Sequence, residues 1–546
     1  MASKLKKENK TSFLKNVAML MFSQVVVKLL GLVYRVVIVD AEGFGNAGNG
    51  YYATGYQIYM VLLAIASIGI PNVISKLVSE RVADGDYRGA HRVFKIALRM
   101  FAGLGFVLSL FLFLSADFIS TVLLRASGVK YTLMVLAPAI TLVACSAVLR
   151  GYFAGLGSMK ATSNSLIVEQ FFNCILSIGF VYACVGQDTA IMAAAGNLST
   201  TCACAVAFFY LVFFYRRRRV EIMGELNSQT VPAENKKSGE LVKTILAISV
   251  PITLSSLITT ANSTIDIFTV SNGIQSALAG SMDAAALENF AMGLYGIMQK
   301  AEIVTHLPLA ISGTLCSAIV PAIASHMAKR DEVGVNAKIC SATFVNSLII
   351  FPCMVGMMVL AVPILKLLYP SAPEGELMLI LLVITLPFSS LTYVLNGILY
   401  GTGKQFIPAV TIAIGSLIKL ILNIILVNIP SLNIYGAIIG TIVYQVFVFL
   451  VETFFVYRYV KVKLPFKKVF LKPAVAAVLM GVAVYPTYKL CATFYGNTLS
   501  TLVSIVVGMA VYALVILLLK TFKEEDFSTL PAGTKIGRIL KKLHLV

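Results

Sequence analysis

The stretch FLKNVAMLMFSQVVVKLLGLVYRVVIV, from Phe13 to Val39, reads as a membrane helix that carries Lys28 and Arg35 among apolar residues. A helix needs about 20 apolar residues to cross roughly 30 Å of hydrocarbon, and this run is long enough. A charge at the middle of such a helix costs about 2.5–3.5 kcal/mol on insertion scales, so it faces a cavity or a partner. Lys28 and Arg35 stand seven residues apart, about two helical turns, which puts them on one face. That face is expected to look at something polar and anionic. The preceding MASKLKKENK is basic, but the span is too long for a secretory signal and lacks a small-residue cleavage site. An uncleaved first helix is expected.

The rest of the chain agrees with this beginning. Of 546 residues, 58% are hydrophobic, and the mean hydropathy is +0.88. A soluble globule that apolar would lack polar surface, so a polytopic membrane protein is the class that remains. The net charge of +19 would suggest nucleic acid in a soluble protein. Cytoplasmic loops of membrane proteins are rich in Lys and Arg, however, and no nucleic-acid partner is expected. The nine cysteines lie mostly in apolar runs without a paired CxxC framework, which supports neither zinc nor a disulfide scaffold.

Hydropathy divides the chain into fourteen spans, at about 13–39, 52–78, 93–114, 131–154, 163–185, 190–215, 243–270, 290–325, 338–362, 377–400, 406–428, 434–457, 468–489 and 499–519. Span 8 is overlong, which leaves its first third open as a separate outer segment. With the N-terminus inside, the cytoplasmic loops hold Arg81, Arg88, Arg92, Lys160, the run Arg216 to Arg219, Lys236, Lys237, Lys329, Arg330, Lys404, Lys461, Lys463 and Lys467. The outer loops hold only Arg125, Lys130, Lys366 and Lys489. This asymmetry predicts both termini in the cytoplasm.

An internal repeat is visible. Pro71 and Ser75 recur as Pro321 and Ser325, 250 residues later, and the same offset carries Glu169 and Asn173 onto Lys419 and Asn423. Six spans per unit is an even number, so the halves share orientation, as in transporters built from parallel repeats. The expected organisation is an N-lobe of spans 1–6 (1–215), a cytoplasmic linker (216–242), a C-lobe of spans 7–12 (243–460), spans 13–14 outside the repeat (461–520), and a tail (521–546). The linker begins with four arginines and continues through polar residues around Pro232, too polar to bury a core. The tail alternates Ile536, Ile539, Leu540 and Leu543 with Lys535, Arg538, Lys541 and Lys542, which predicts an amphipathic surface helix.

No enzymatic constellation is present. His91, His306, His326 and His544 have no metal-ligand spacing, and no HExxH, GxSxG or P-loop motif occurs, so neither enzyme activity nor a metal or cofactor is expected. GFGNAGNG, Gly43 to Gly50, lacks a phosphate-loop lysine and reads as a flexible outer loop. The candidates for chemistry are charges within the spans. Lys28, Arg35, Lys300 and Lys419 are the cations, and a cavity with surplus positive charge suits a phosphate or pyrophosphate. Asp266, Glu302, Glu169 and Glu452 are the acids, candidates for ion coupling or for structural ion pairs. Pro71, Pro251, Pro308, Pro321 and Pro352 mark helices expected to kink.

Three stretches carry a family resemblance. GYQIYMVLLAIASIGIPNVISKLVSERVADGDYRGAHRVFKIAL (Gly55 to Leu98), RGYFAGLGSMKATSNSLIVEQ (Arg150 to Gln170) and LPLAISGTLCSAIVPAIASHMAKRD (Leu307 to Asp331) resemble the stage V sporulation protein B branch of the polysaccharide biosynthesis protein family. That branch is similar to the bacterial lipid II flippases, within the multidrug/oligosaccharidyl-lipid/polysaccharide exporter superfamily. The resemblance implies an all-α fold of fourteen helices, two six-helix lobes around a cationic cavity, and spans 13 and 14 as a groove for a lipid tail. It also implies essential cations in span 1, carried here by Lys28 and Arg35 around KLLG, Lys28 to Gly31. Two departures stand out: Asn173 occupies a place where the branch commonly has Arg, and Lys300 matches the family's span 8 cation only approximately.

The expected function is therefore a flippase in a bacterial plasma membrane, in vegetative growth or sporulation. It would move an undecaprenyl-pyrophosphate-linked glycan, lipid II, from the inner to the outer leaflet by alternating access. Membrane lipids and cell-wall synthesis proteins are its expected partners. The alternatives are a multidrug antiporter of the same superfamily and a membrane scaffold without transport.

Overall fold

A computed structural model describes residues 23–24, 26–220, 224, 238–460 and 464–521. Every regular element among them is helical, and thirteen helices are long and apolar enough to cross a membrane. Span 1 is helical over 26–39, and its first half lies outside the described residues. So do most of the linker and the tail's expected surface helix. Spans 2 to 8 are Gly45–Ala83, Tyr87–Leu123, Val129–Gly155, Met159–Ala183, Thr189–Arg217, Ser238–Ala277 and Ala284–Ala328; spans 9 to 14 are Glu332–Val359, Glu376–Gly401, Phe406–Val427, Ile434–Val460, Lys467–Phe494 and Asn497–Leu518.

Two expectations need correction. Span 8 is one continuous helix, with no separate outer segment. Gly45 to Gly50 is not a flexible loop but the first turns of span 2. The missing side chains are what allow it: a Cβ on Gly50 would collide with the Met292 carbonyl, and one on Gly296 with the Asn46 carbonyl. Small residues let helix backbones approach in a membrane, where apolar burial supplies no drive between helices. Of the expected kinks, Pro71 starts a new helical segment, Ile70–Ala83, after a π-helical turn at Ala64–Ile68. Pro251, Pro308, Pro321 and Pro352 lie inside continuous helices.

The chain forms two compact units, one through Gly296 and one from Ile297 onward. In the first, the core joins Ile74, Leu77 and Val78 of span 2 to Val93, Phe94 and Ala97 of span 3 and to Val148, Tyr152 and Phe153 of span 4. Leu241 and Ile245, at the start of span 7, complete that core. In the second unit, Ile319 and Ile323 of span 8 pack with Val335 and Ile339 of span 9, Val394 and Ile398 of span 10, and Val456 of span 12. Spans 13 and 14 pack on span 9 through Met480 and Val484, with Val355, Val359 and Val511 alongside. Span 11 shows the lipid's influence most clearly: Ile414, Leu417, Ile421 and Ile425 are exposed, whereas Ser416, Lys419 and Asn423 are buried. The solvent for its outer face is hydrocarbon, so the polar residues turn inward.

The repeat recurs as packing, but not in the register read from sequence. Asp86 caps span 3 by accepting from Gly89 N–H at 2.8 Å, and Asp331 caps span 9 by accepting from Gly334 N–H at 2.8 Å, 245 residues later. Gly334 N–H and the His326 ring, with Nδ1 2.8 Å from the carboxylate, hold the Asp331 carboxyl below the usual range. Gly151 and Gly155 of span 4 seat against Pro71, Ile74, Ser75 and Val78; Gly397 and Gly401 of span 10 seat against Cys316, Ile319, Val320 and Ile323. Each partner in the second set again follows its counterpart by 245 residues. The offset of 250 differs by five residues, about 1.4 turns, and spans that are apolar on most faces give hydropathy no means of separating the two registers.

These glycines make a direct prediction. A Cβ at Gly151 would sit 2.8 Å from the Pro71 backbone oxygen, which cannot move aside. Gly151→Leu is expected to destabilise the protein by about 1–3 kcal/mol and lower its melting temperature in detergent. Gly103→Leu, where nothing lies within 4 Å, is expected to leave it unchanged.

Candidate functional site

Lys28 is exposed on the first helix, and Arg35, two turns on, is half-buried. Arg35 Nη1 donates to Asn49 Oδ1 at 3.3 Å, and its guanidinium carbon lies 4.3 Å from the Tyr52 ring centre. A planar guanidinium favours this combination of one directed hydrogen bond and one stacked face. Tyr52 is in turn held by Tyr34, with the two hydroxyls 3.2 Å apart. Tyr56 and Tyr59 continue the file, with ring centres 6.3 Å and then 5.7 Å apart. Helical spacing places these three tyrosines of span 2 on one face. Span 1 meets span 5 at Gly31, whose Cβ would lie 3.6 Å from Gln170 Nε2.

Asn49 links Arg35 to the start of span 8, because its Nδ2 donates to the Gly296 carbonyl at 2.8 Å. The same segment is clamped at Glu288. Glu288 Oε1 accepts from Tyr51 Oη at 2.9 Å and from Gly128 N–H at 3.1 Å, and Oε2 accepts from Ser127 Oγ at 3.0 Å. The 123–125 carbonyls accept from span 7: from Asn272 Nδ2 at 2.7 Å, Ser271 Oγ at 2.5 Å and Gln275 Nε2 at 2.7 Å. Within the first unit, the end read above as outer is thus closed by polar contacts between spans 7 and 8 and the earlier helices.

Toward the opposite end, Glu169 is already neutralised. Arg150 Nη2 lies 2.6 Å from Glu169 Oε2, and Arg150 Nε donates to Ser165 Oγ at 2.9 Å. Asn173 accepts from Ser199 Oγ at 2.6 Å and from Thr200 Oγ1 at 3.4 Å. Asp266 is buried in span 7.

The second unit holds the other predicted residues. Lys300 is fully buried, and its ammonium donates to the Ala372 carbonyl, with Glu374 at 3.9 Å and the Tyr369 ring at 5.2 Å. Glu302 accepts from Gln299 Nε2 at 2.8 Å on its own helix. Lys419 is buried beside Gly440 of span 12, where the absence of a side chain makes room for the neighbouring Asn423 amide, whose Oδ1 a Cβ there would strike. Lys300→Met, which keeps the aliphatic stem and removes the ammonium, is expected to cost about 2 kcal/mol and to speed proteolysis of the 369–375 loop. A wild-type melting temperature and digestion rate would argue against a structural role for that ammonium.

The polysaccharide biosynthesis protein family model matches residues 13–327. The chain belongs to that family. Stage V sporulation protein B of Bacillus subtilis (strain 168) is 25% identical over 546 residues, covering 97% of this chain and 99% of the relative. Lipid II flippase MurJ of the same organism is 24% identical over 431 residues, covering 76% of this chain and 77% of its own length. A solved lipid II flippase MurJ in an inward closed conformation superposes with a TM-score of 0.68 at 15% identity, covering 91% of this chain and 98% of that one. At that identity, the likeness is one of fold.

For this family member, reasoning from charge cost alone passed over the groups that hold the charges. Asn49 falls in the glycine-rich stretch read as a flexible outer loop, Tyr52 is unremarkable at the start of span 2, and Glu288 falls just before span 8 as its bounds read from sequence. Arg150 carried a usable signal, since an arginine inside span 4 requires a partner as much as Arg35 does.

Proposed function

We propose that this chain is a flippase for a lipid-linked cell-wall precursor, lipid II, moving it from the inner to the outer leaflet of a bacterial plasma membrane by alternating access, with both termini cytoplasmic. The observation that carries the reading is the posture of Arg35. It is steadied by Asn49 and Tyr52 and stands two turns from exposed Lys28, in the first helix of a polysaccharide biosynthesis family member. In this reading, the two cations receive the pyrophosphate: Arg35 as a fixed fork, Lys28 as a mobile charge. Lys419 is a further cation for the headgroup. Lys300 instead holds the 369–375 loop through Ala372. Glu169 is a structural partner of Arg150. Spans 13 and 14 take the lipid tail, and rocking of two lobes changes access without covalent chemistry.

Vesicles reconstituted with the full chain and fluorescent lipid II test this reading. Protein-dependent appearance of the lipid in the opposite leaflet is the expected result. Its absence in folded protein sinks the flippase, while drug efflux in its place favours the multidrug antiporter.

A further inference from the structure

Span 7 packs on its own unit near both ends but not in the middle. Ile245 and Ser249 are buried toward its start, and Ile267, Val270 and Ile274 toward its end. With 3.6 residues per turn, Ile252, Ser256, Thr259 and Ser263 lie between them on the same face. Ile252 still meets span 2, since a Cβ on Gly69 would come within 2.7 Å of its Cγ2. From Val250 to Ile265, however, no residue is buried, and Thr259 and Ser263 are exposed. The face is chiefly aliphatic where it packs and hydroxylated where it stands away.

The opposite side of the same segment carries Val250, Leu254, Ala261 and Ile265. Hydrocarbon takes that aliphatic side, so the hydroxyl side, which does not pack, looks onto a polar space. Within the first unit, the space is bounded at one end by the core around Leu241 and Ile245. At the other end stand the bonds of Ser271, Asn272 and Gln275 to the 123–125 carbonyls. Ser256 Oγ donates to the Ile252 carbonyl at 2.9 Å, and Thr259 Oγ1 to the Ser256 carbonyl at 2.8 Å. Each hydroxyl thus uses its proton on its own helix and keeps its lone pairs for a ligand. From Ser249 to Ile265 the helix has no charged residue. An anion on this face would find no counter-charge, and an apolar ligand would strip water from the hydroxyls without replacing its hydrogen bonds.

We propose that Ser256, Thr259 and Ser263 form a sugar-binding surface on span 7, a specificity element that receives the neutral, hydroxyl-rich glycan of the carried lipid. The inference rests on the flippase reading above and divides the labour within it: the cations of span 1 take the phosphates, and the span 7 face takes the sugar. Sugar hydroxyls donate to the serine and threonine oxygens, and a rotated side-chain hydroxyl donates in return. Ser256 and Ser263 are about 10 Å apart along the helix axis, so the contacts form a row along the glycan rather than a single point.

The test measures binding of two lipids to the purified full chain: lipid II, and undecaprenyl pyrophosphate, which has the tail and the phosphates but no sugar. The triple variant Ser256→Ala, Thr259→Val, Ser263→Ala keeps side-chain volume nearly constant and removes the hydroxyls. It is expected to bind lipid II about 30-fold more weakly and undecaprenyl pyrophosphate as the wild type does. Ser263→Leu, which covers the face from an exposed position, is expected to give the same selective loss and serves where the triple variant does not fold. A folded variant that keeps its lipid II affinity overturns the sugar surface, and so does an equal loss for both lipids. In either case, wild-type binding of both lipids leaves the flippase reading standing. Wild-type protein that binds neither lipid overturns that reading and the sugar surface with it.

Discussion

Arg35→Ala is expected to reduce lipid II translocation in reconstituted vesicles by roughly 30- to 100-fold, from the loss of about 2–3 kcal/mol of charge-assisted hydrogen bonding at about 1.4 kcal/mol per tenfold. The effect is large because the guanidinium is already positioned: Asn49 takes one of its donors, and Tyr52 supports its face. An anion meeting it therefore bears little of the ordering cost that a free side chain would impose. Arg35→Lys keeps the charge but loses the fork and the stacked plane, so an intermediate rate is expected. Lys28→Ala should cost less than Arg35→Ala, since Lys28 is exposed on its helix and well hydrated when empty. Elution profile and melting temperature establish that each variant is folded. A stable Arg35→Ala protein that translocates at the wild-type rate removes Arg35 from the site.

Glu288→Ala is expected to open the end of the first unit read as outer. The side chain accepts from Tyr51, Gly128 and Ser127, and at about 1 kcal/mol net for each hydrogen bond the clamp contributes roughly 3 kcal/mol. That is roughly a 100-fold shift in an equilibrium between closed and open forms. Met292, 1% exposed beneath the clamp, is the reporter. A water-soluble maleimide is expected to label Met292→Cys slowly, and up to about 100-fold faster once Glu288→Ala is added. Equal labelling rates would show that the close seat of Gly50 on Met292 and of Gly296 on Asn46 keeps the segment down without Glu288. Because Asn49 bonds both Arg35 and the Gly296 carbonyl, an anion that draws Arg35 away is expected to loosen the same end.

The sequence was most informative where the physics is local. Hydropathy over about twenty residues identified the membrane spans, and the cost of burying charge singled out Lys28, Arg35, Lys300, Lys419, Glu169 and Glu452. It was less informative about register. The 250-residue repeat matched residue types that recur throughout apolar spans, whereas the capping pairs Asp86–Gly89 and Asp331–Gly334 select 245 because a cap occurs once, at the start of its helix. Sequence also could not sort the charges. Arg150 answers Glu169 from the preceding helix, the Lys300 partner Ala372 lies 72 residues away, and Glu452 meets the uncharged Asn396 amide.

By itself, then, the sequence determined that this is a helical membrane protein with cations inside its first span, because hydrophobic transfer depends on composition along a single helix. Only the tertiary structure decided which charges are compensated. Compensation depends on the rotation and axial register of neighbouring helices, and a shift of one turn, about 5.4 Å, exchanges one partner for another.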